Sequence, residues 1–278
     1  MWKSLGVGVA VLMFLPACGL FMEQGNGRKV TESREVSSIF TRVENHTSLD
    51  VVVREADSSS VSLTLDENLQ RYVTARVQGE ALIIEDSANL SFSGEGRVVA
   101  TLPRFLGARN DGSGDLLVEG VTQANALTFV LDGSGSVRYC GPASSLTANL
   151  SGSGDMTLCT PEAQMLEGVS LELGGSGSIT YDGSAKRLEA ICDGSGDIHL
   201  TGQAPQLVAQ ARASGDVDAR GFTSSNAELR VSGSGGVSAT VQDGSVAVRI
   251  DGSGGVDLWG NASVRDVSLN GSGNFRRH

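Results

Sequence analysis

A Gly-Ser-Gly tripeptide returns nine times from residue 110 onward, with alanine in place of its first glycine in one copy. The second glycines of the nine copies are Gly114, Gly135, Gly154, Gly177, Gly196, Gly215, Gly235, Gly254 and Gly273. Successive copies are 21, 19, 23, 19, 19, 20, 19 and 19 residues apart. A fixed period near twenty residues is typical of a solenoid, in which each repeat stacks on its neighbours.

The residues around each tripeptide alternate between apolar and polar, which is the period of a half-buried strand. Two positions after the second glycine stand Leu116, Val137, Met156, Ile179, Ile198, Val217, Val237, Val256 and Phe275. Four positions before the next second glycine stand Leu131, Leu150, Leu173, Cys192, Ala211, Val231, Ile250 and Leu269, and six before it stand Phe129, Ala148, Leu171, Ala190, Ala209, Leu229, Val248 and Val267. The sequence therefore predicts an all-β parallel β-helix, a β-solenoid of about twenty-residue coils with two inward-facing strands per coil.

The glycines predict tight corners between these strands. Such a corner calls for positive φ angles and for close approach between stacked backbones, and glycine allows both. The serines between the glycines would form one column, and we expect their hydroxyls to hydrogen-bond along the stack.

The N-terminus has the pattern of an export signal: Lys3 is followed by an apolar run over residues 5–17 that is too short to span a bilayer. The run ends in Leu15-Pro16-Ala17-Cys18, which resembles the bacterial lipobox. We therefore expect residues 1–17 to be a lipoprotein signal peptide and Cys18 to be the lipidated first residue of the mature chain. The alternative is an ordinary cleaved signal in which Cys18 has no role.

The sequence pattern divides the rest of the chain into three parts. Residues 18–34 begin with a stretch rich in glycine and charge and are predicted to be a lipidated tether. Residues 35–109 keep the alternation without the tripeptide, which predicts irregular first coils or a β-rich cap. Residues 110–278 form the Gly-Ser-Gly repeat, continuous with 35–109 as one domain.

Four segments give this pattern a family likeness: residues 36–53 (VSSIFTRVENHTSLDVVV), residues 79–84 (GEALII), residues 102–106 (LPRFL) and residues 110–115 (NDGSGD). Together they resemble the family named "putative auto-transporter adhesin, head GIN domain", over roughly residues 35–275. The resemblance implies a single-stranded, right-handed parallel β-helix in an exported protein or lipoprotein. It brings no catalytic residues and no cofactor.

The cysteines of the repeat occupy informative positions. Cys140 and Cys159 each lie five residues after a second glycine, so they share a register in adjacent coils. Stacked strands lie about 4.8 Å apart, within reach of a disulfide, and an oxidising compartment favours that bond over two free thiols. Cys192 lies in an inward-facing row and is predicted to be a small core residue rather than a nucleophile.

Aspartates flank many corners, which raises the question of calcium. Asp115, Asp155, Asp197 and Asp216 follow the tripeptide, but serine or glycine interrupts the column. We expect solvated turn carboxylates with backbone partners rather than a metal site. The short loops and the scarcity of histidine in the repeats (His199, with His278 as the last residue) offer no facing catalytic pair, so no enzyme is predicted.

These features predict a non-enzymatic, lipid-anchored protein of the cell envelope, with the outer membrane preferred, acting in adhesion or scaffolding. The alternative is a periplasmic or surface glycan-binding or glycan-processing β-helix. Expected partners are the membrane through the N-terminal lipid, a cell-surface glycan or envelope protein, and a second copy at an open solenoid end. A net charge of −11 argues against nucleic acid as a partner.

Overall fold

The computed structural model describes residues 22–36 and 38–278, and these residues form strands joined by short turns. The strands are β1 (Met22–Gln24), β2 (Lys29–Arg34), β3 (Arg42–Asn45), β4 (Asp50–Glu55), β5 (Ser60–Asp66), β6 (Val73–Gln78), β7 (Ala81–Asp86), β8 (Asn89–Ser91), β9 (Arg97–Leu102), β10 (Gly107–Asn110), β11 (Leu116–Glu119), β12 (Asn125–Leu131), β13 (Val137–Cys140), β14 (Ala143–Leu150), β15 (Asp155–Cys159), β16 (Met165–Leu166), β17 (Gly168–Leu173), β18 (Ser178–Ala185), β19 (Arg187–Cys192), β20 (Asp197–Ala211), β21 (Val217–Val231), β22 (Val237–Ile250), β23 (Gly255–Trp259), β24 (Ser263–Leu269) and β25 (Asn274–Arg277). A 3-10 turn spans Gln70–Tyr72. In this part of the chain no helix has the length and apolarity needed to cross a membrane.

Successive coils stack in parallel, and this confirms the predicted β-solenoid. Strands that follow a Gly-Ser-Gly corner form one sheet, which we call the post-corner sheet; it includes β11, β13, β15 and β18. Strands that precede a corner form the pre-corner sheet, which includes β10, β12, β14 and β17. The predicted rows align in register, with Leu116 opposite Val137 and Val137 opposite Met156.

The apolar rows of both sheets fill the interior. Leu116, Val137, Met156 and Leu131 are fully buried or nearly so, as the alternation predicts. At the last coil the inward positions of the pre-corner sheet are no longer buried, since Val267 and Leu269 are 40% and 50% exposed. No described coil stacks beyond β24, so these inward positions face the open end of the solenoid.

The corner glycines are required for close packing and not for their φ angles. A β-carbon on Gly196 would overlap the carbonyl oxygen of Gly177 in the coil below and lie 2.9 Å from its carbonyl carbon. The same overlap recurs at the other corners. The prediction of positive φ is wrong for these corners, with Gly271 as the one exception among the described copies. At the second glycine of each corner the stacked backbones approach too closely to admit a β-carbon, whereas the first-glycine column admits the methyl group of Ala213.

At the N-terminal end of the pre-corner sheet, two buried asparagines occupy the inward position that Leu131 holds in the next coil. Asn45 donates a 3.1 Å hydrogen bond to the side-chain oxygen of Asn110, and another of 3.1 Å to the carbonyl of Leu49. Asn110 donates at 2.8 Å to the carbonyl of Gly114. Both asparagines are fully buried. Each bond contributes about 1 kcal/mol, and leaving one of these amides unpaired would cost more.

The first coils do not stack in chain order. Strands β3 and β4 pair with β10 and β11 on one side and with β7 and β9 on the other, all in parallel. The chain therefore forms the coil of β3 and β4 first and places β7 and β9 on one side of it, which we call the outer side. It then crosses to the opposite side, where β10 and β11 begin the regular stack. Beyond this outer coil, β5 and β6 add in antiparallel orientation, as expected of a cap.

The predicted tether is wrong for the described residues 22–34. Strand β2 pairs antiparallel with β5 along its whole length, and β1 pairs with β8. Lys29 also makes a 3.1 Å ion pair with the buried carboxylate of Asp66. The apolar alternation in this segment is too short, and the segment too polar, to be recognised as a strand from the sequence. Its order comes from backbone pairing with β5.

Cys140 and Cys159 lie opposite each other in neighbouring strands of the post-corner sheet. Their Cα atoms are 4.5 Å apart, within the range that a disulfide spans. Both side chains point outward, where an oxidant can reach them. The bond itself remains a prediction of the shared register.

We expect the substitution Gly196→Ala to destabilise the protein by about 3 kcal/mol, because a single β-carbon already overlaps the coil below. Gly168→Ala is the matched control, since its β-carbon would have no atom closer than the carbonyl oxygen of Arg187 at 4.0 Å. Urea unfolding followed by circular dichroism measures both. Equal midpoints for the two variants would show that the corners are not tightly stacked.

We expect peptide mapping without reduction to recover Cys140 linked to Cys159 and Cys192 as a free thiol. The linkage should stabilise the protein by about 3 kcal/mol, because it closes a loop of 19 residues in the unfolded chain. Unfolding with and without reductant measures this difference. Alkylation of all three thiols after purification under oxidising conditions would contradict the pairing.

Candidate binding surface

The aspartates that follow four of the nine corners accept hydrogen bonds from the next coil along the post-corner sheet. Asp115 accepts bonds from the backbone N–H and the hydroxyl of Ser136, at 3.0 and 2.9 Å. Asp155 accepts the same two bonds from Ser178 in a later coil, at 3.1 and 2.7 Å. Each carboxylate thus binds an N–H of the next coil at, or just before, the first residue of its strand. This gives the acidic column a structural role.

Within residues 22–36 and 38–278 no three His, Cys, Asp or Glu side chains are grouped as metal ligands would be. Asp216 illustrates the reason, since its carboxylate is directed at the backbone N–H of Gly236 at 2.6 Å. Asp218, on the neighbouring outward column, is bound by the guanidinium of Arg220 at 2.9 Å. That hydrogen bond lowers the pKa of Asp218 below its usual value.

The serines of the repeats form a straight exposed ridge, which we call the serine ridge. Its members are Ser113, Ser134, Ser153, Ser176, Ser195, Ser214, Ser234, Ser253 and Ser272. Backbone bonds between coils hold the ridge in line, for example Ser153 N–H to Gly133 O at 3.2 Å and Ser195 N–H to Gly175 O at 3.0 Å. The prediction that the hydroxyls bond to each other is wrong: their side chains make no hydrogen bond within the described chain and point to solvent.

An apolar strip interrupts the polar outer face near the N-terminal end. Val99, Val52 and Leu117 lie in register on adjacent strands with their side chains outward. Arg138 continues the column and has no ion-pair partner among the described residues. A shallow cavity of about 200 Å³ opens over the strip. The sequence analysis missed this feature, although Leu117 is apolar at a position where the later coils carry polar residues such as Arg138 and Thr157.

The remaining cysteines offer no reactive site among the residues described. Cys192 is fully buried in its predicted inward row, with its Sγ 3.1 Å from the carbonyl oxygen of Gly196. Burial raises the pKa of its thiol, which disfavours the thiolate needed of a nucleophile. Cys18, the predicted lipidation site, lies outside the described residues.

Aromatic side chains contribute little to the outer faces. Tyr139 and Tyr181 are fully buried, and desolvation raises the pKa of both phenols. Trp259 lies at the end of β23, and its ring stacks on His278 with centroids 4.3 Å apart. His278 is held in turn by Asp257 at 2.8 Å. The indole therefore presents at most one free face to a ligand.

The pre-corner sheet carries neighbouring opposite charges. Arg109 pairs with Asp111 at 2.8 Å and also contacts Asp132 in the next coil. Arg212 pairs with Asp193 at 3.2 Å. Such exposed pairs contribute little stability, but they leave this face nearly neutral along the stack. The serine ridge, with carboxylates on both flanks, is the most regular unpaired polar surface that the fold presents.

Comparison with solved structures shows what this fold is similar to. A putative adhesin from Parabacteroides distasonis is 19% identical, with a TM-score of 0.67 over 92% of this chain and 99% of that one. A putative lipid binding protein from the same species is 18% identical, with a TM-score of 0.67 over 93% and 100% of the two chains. A putative adhesin from Parabacteroides merdae is 19% identical, with a TM-score of 0.66 over 92% and 99%. At these identities the likeness concerns the fold alone.

A search of curated proteins found no match. The family described as "Putative auto-transporter adhesin, head GIN domain" matches residues 39–165 and 163–262, which together make up most of the chain. The expected resemblance is therefore confirmed, and the chain belongs to this family.

Proposed function

We propose that this protein is a lipid-anchored adhesin of the cell envelope that presents the serine ridge to an extracellular partner. The observation that carries this proposal is the ridge itself: a row of exposed hydroxyls, one per coil, held in line by backbone bonds between coils. Such a surface is pre-organised, so binding along it costs little conformational entropy. The family and two of the three similar structures are named as putative adhesins, which agrees with this role.

The partner that fits the ridge best is an extended, uncharged glycan. Hydroxyls both donate and accept hydrogen bonds, and the flanking carboxylates accept them from sugar hydroxyls. Repulsion from Asp115 and Asp155 would disfavour an anionic polymer. Glycan processing is less well supported, because the serines of the ridge are exposed and do not enclose a substrate.

Anchoring would place the solenoid close to the membrane. If Cys18 is the lipidated first residue, β1 begins four residues later at Met22. Four extended residues span about 14 Å, so the N-terminal cap would lie near the lipid surface. The serine ridge then extends away from the cap towards the open end. This arrangement suits an adhesin that reaches outward from the envelope.

We expect Cys18→Ser to abolish labelling of the protein by a radioactive or clickable fatty acid. Cys192→Ala is the matched control, since it removes a thiol from a row in which Ala211 is the next member. Gel fluorography and the mass of the mature N-terminus measure the outcome. Retention of the label in Cys18→Ser would contradict lipid attachment at this residue.

We expect the double substitution Ser153→Arg and Ser176→Arg to lower binding to neutral glycans at least tenfold, because two long side chains would block the middle of the ridge. Asn149→Arg, which adds an arginine on the pre-corner sheet, is the control. A glycan array probed with all three proteins, checked by circular dichroism, measures the effect. Equal loss in the control, or unchanged binding in the double variant, would contradict the ridge as the binding surface.

A further inference from the structure

The sequence contains two Asn-Gly pairs, Asn26-Gly27 and Asn270-Gly271. In such a pair the backbone nitrogen of the glycine can attack the side-chain amide carbon of the asparagine, because glycine has no β-carbon to hinder the approach. The attack needs a free glycine N–H and a movable asparagine side chain. The two pairs differ in whether these groups are hydrogen-bonded.

In Asn26-Gly27 both the glycine N–H and the asparagine side chain are hydrogen-bonded. The N–H of Gly27 donates a 2.7 Å hydrogen bond to the carboxylate of Asp66, whose side chain is fully buried. The side-chain oxygen of Asn26 accepts a 3.0 Å bond from the N–H of Arg28. Both the attacking nitrogen and the target amide are therefore occupied, and the bond to Asp66 is charge-assisted.

In Asn270-Gly271 the groups that react are less constrained. The N–H of Gly271 donates no hydrogen bond within residues 22–36 and 38–278, and Asn270 is exposed. Its side-chain oxygen accepts no bond there, and its amide nitrogen makes one, at 2.9 Å to Asp251. The pair lies in the last described coil, which packs on one side only, and such end segments open most readily.

We propose that Asn270 is a site of spontaneous deamidation in the folded protein. The nitrogen of Gly271 bonds to the side-chain carbon of Asn270 and loses its proton to solvent, while the Asn270 side-chain nitrogen leaves as ammonia. Water then opens the resulting succinimide at either carbonyl, giving aspartate or isoaspartate. The sum is one water consumed and one ammonia released, with no oxidant or cofactor.

The product changes the end of the solenoid. A carboxylate at position 270 lies against Asp251 and replaces a hydrogen bond by repulsion between like charges. Isoaspartate also lengthens the backbone by one carbon at the last corner. Two bonds stack that corner on the coil below, Gly273 N–H to Gly252 O at 2.9 Å and Asn274 N–H to Gly254 O at 3.2 Å. Strand β25 therefore loosens as the protein ages.

The test is incubation of the full chain at mildly alkaline pH, followed by peptide mass spectrometry that resolves aspartate from isoaspartate. In the folded protein we expect Asn270 to deamidate at least about tenfold faster than Asn26, because Gly27 must first break its bond to a buried carboxylate. In urea, where both pairs are free, the two rates should converge. The Asn270→Gln variant keeps the amide but cannot form the five-membered ring, and its residue 270 should remain unmodified.

Hydrogen exchange supplies a second measurement. Aged parent protein should lose protection in Asn274–Arg277, whereas aged Asn270→Gln protein should keep it. Equal rates at Asn26 and Asn270 in the folded state would overturn the proposal. So would an Asn270 amide that survives in the folded protein while both sites react in urea.

Discussion

Close contact between stacked backbones is the constraint on which this molecule depends. Parallel coils bond to one another at about 4.8 Å, and at the corners the chain turns without moving away from the coil beneath. A β-carbon at Gly133, Gly154 or Gly196 would overlap a carbonyl oxygen of that coil. The Gly-Ser-Gly repeat is thus a packing requirement, and the straightness of the serine ridge follows from it. An altered corner would disturb the surface as well as the core.

The same stacking determines what polar side chains can do. Backbone groups near a corner lie between the regular ladders of the two sheets, so they need partners from elsewhere. The carboxylates of Asp115, Asp155 and Asp216 supply them on the outside, and the amides of Asn45 and Asn110 supply them inside. Many of the conspicuous acidic residues therefore serve the fold. The surface left for a partner consists of groups that the stack does not use, chiefly the serine hydroxyls.

The repeat made the regular coils predictable from the sequence, including the inward rows through Met156 and Cys192 and the register of Cys140 with Cys159. The first hundred residues were less accessible for two reasons. The coil of β3 and β4 is extended on both sides by later segments, and no local pattern encodes that order. Strand β2 is polar along most of its length and is ordered by its pairing with β5. The buried Asn45–Asn110 contact joins residues far apart in sequence, and an isolated asparagine gives no sign of it.

The order of the first coils has a mechanical consequence for a protein held at its N-terminus. In a simple solenoid, tension on one end peels the terminal coil from a single neighbour, and each further coil opens in the same way. Here tension entering through residues 22–34 reaches β5 and then a coil, β3 and β4, that is clamped between two others. Freeing that coil requires two interfaces to rupture together. Tension applied at residues 22–34 would therefore meet more resistance at this first coil than at a coil stacked on one neighbour.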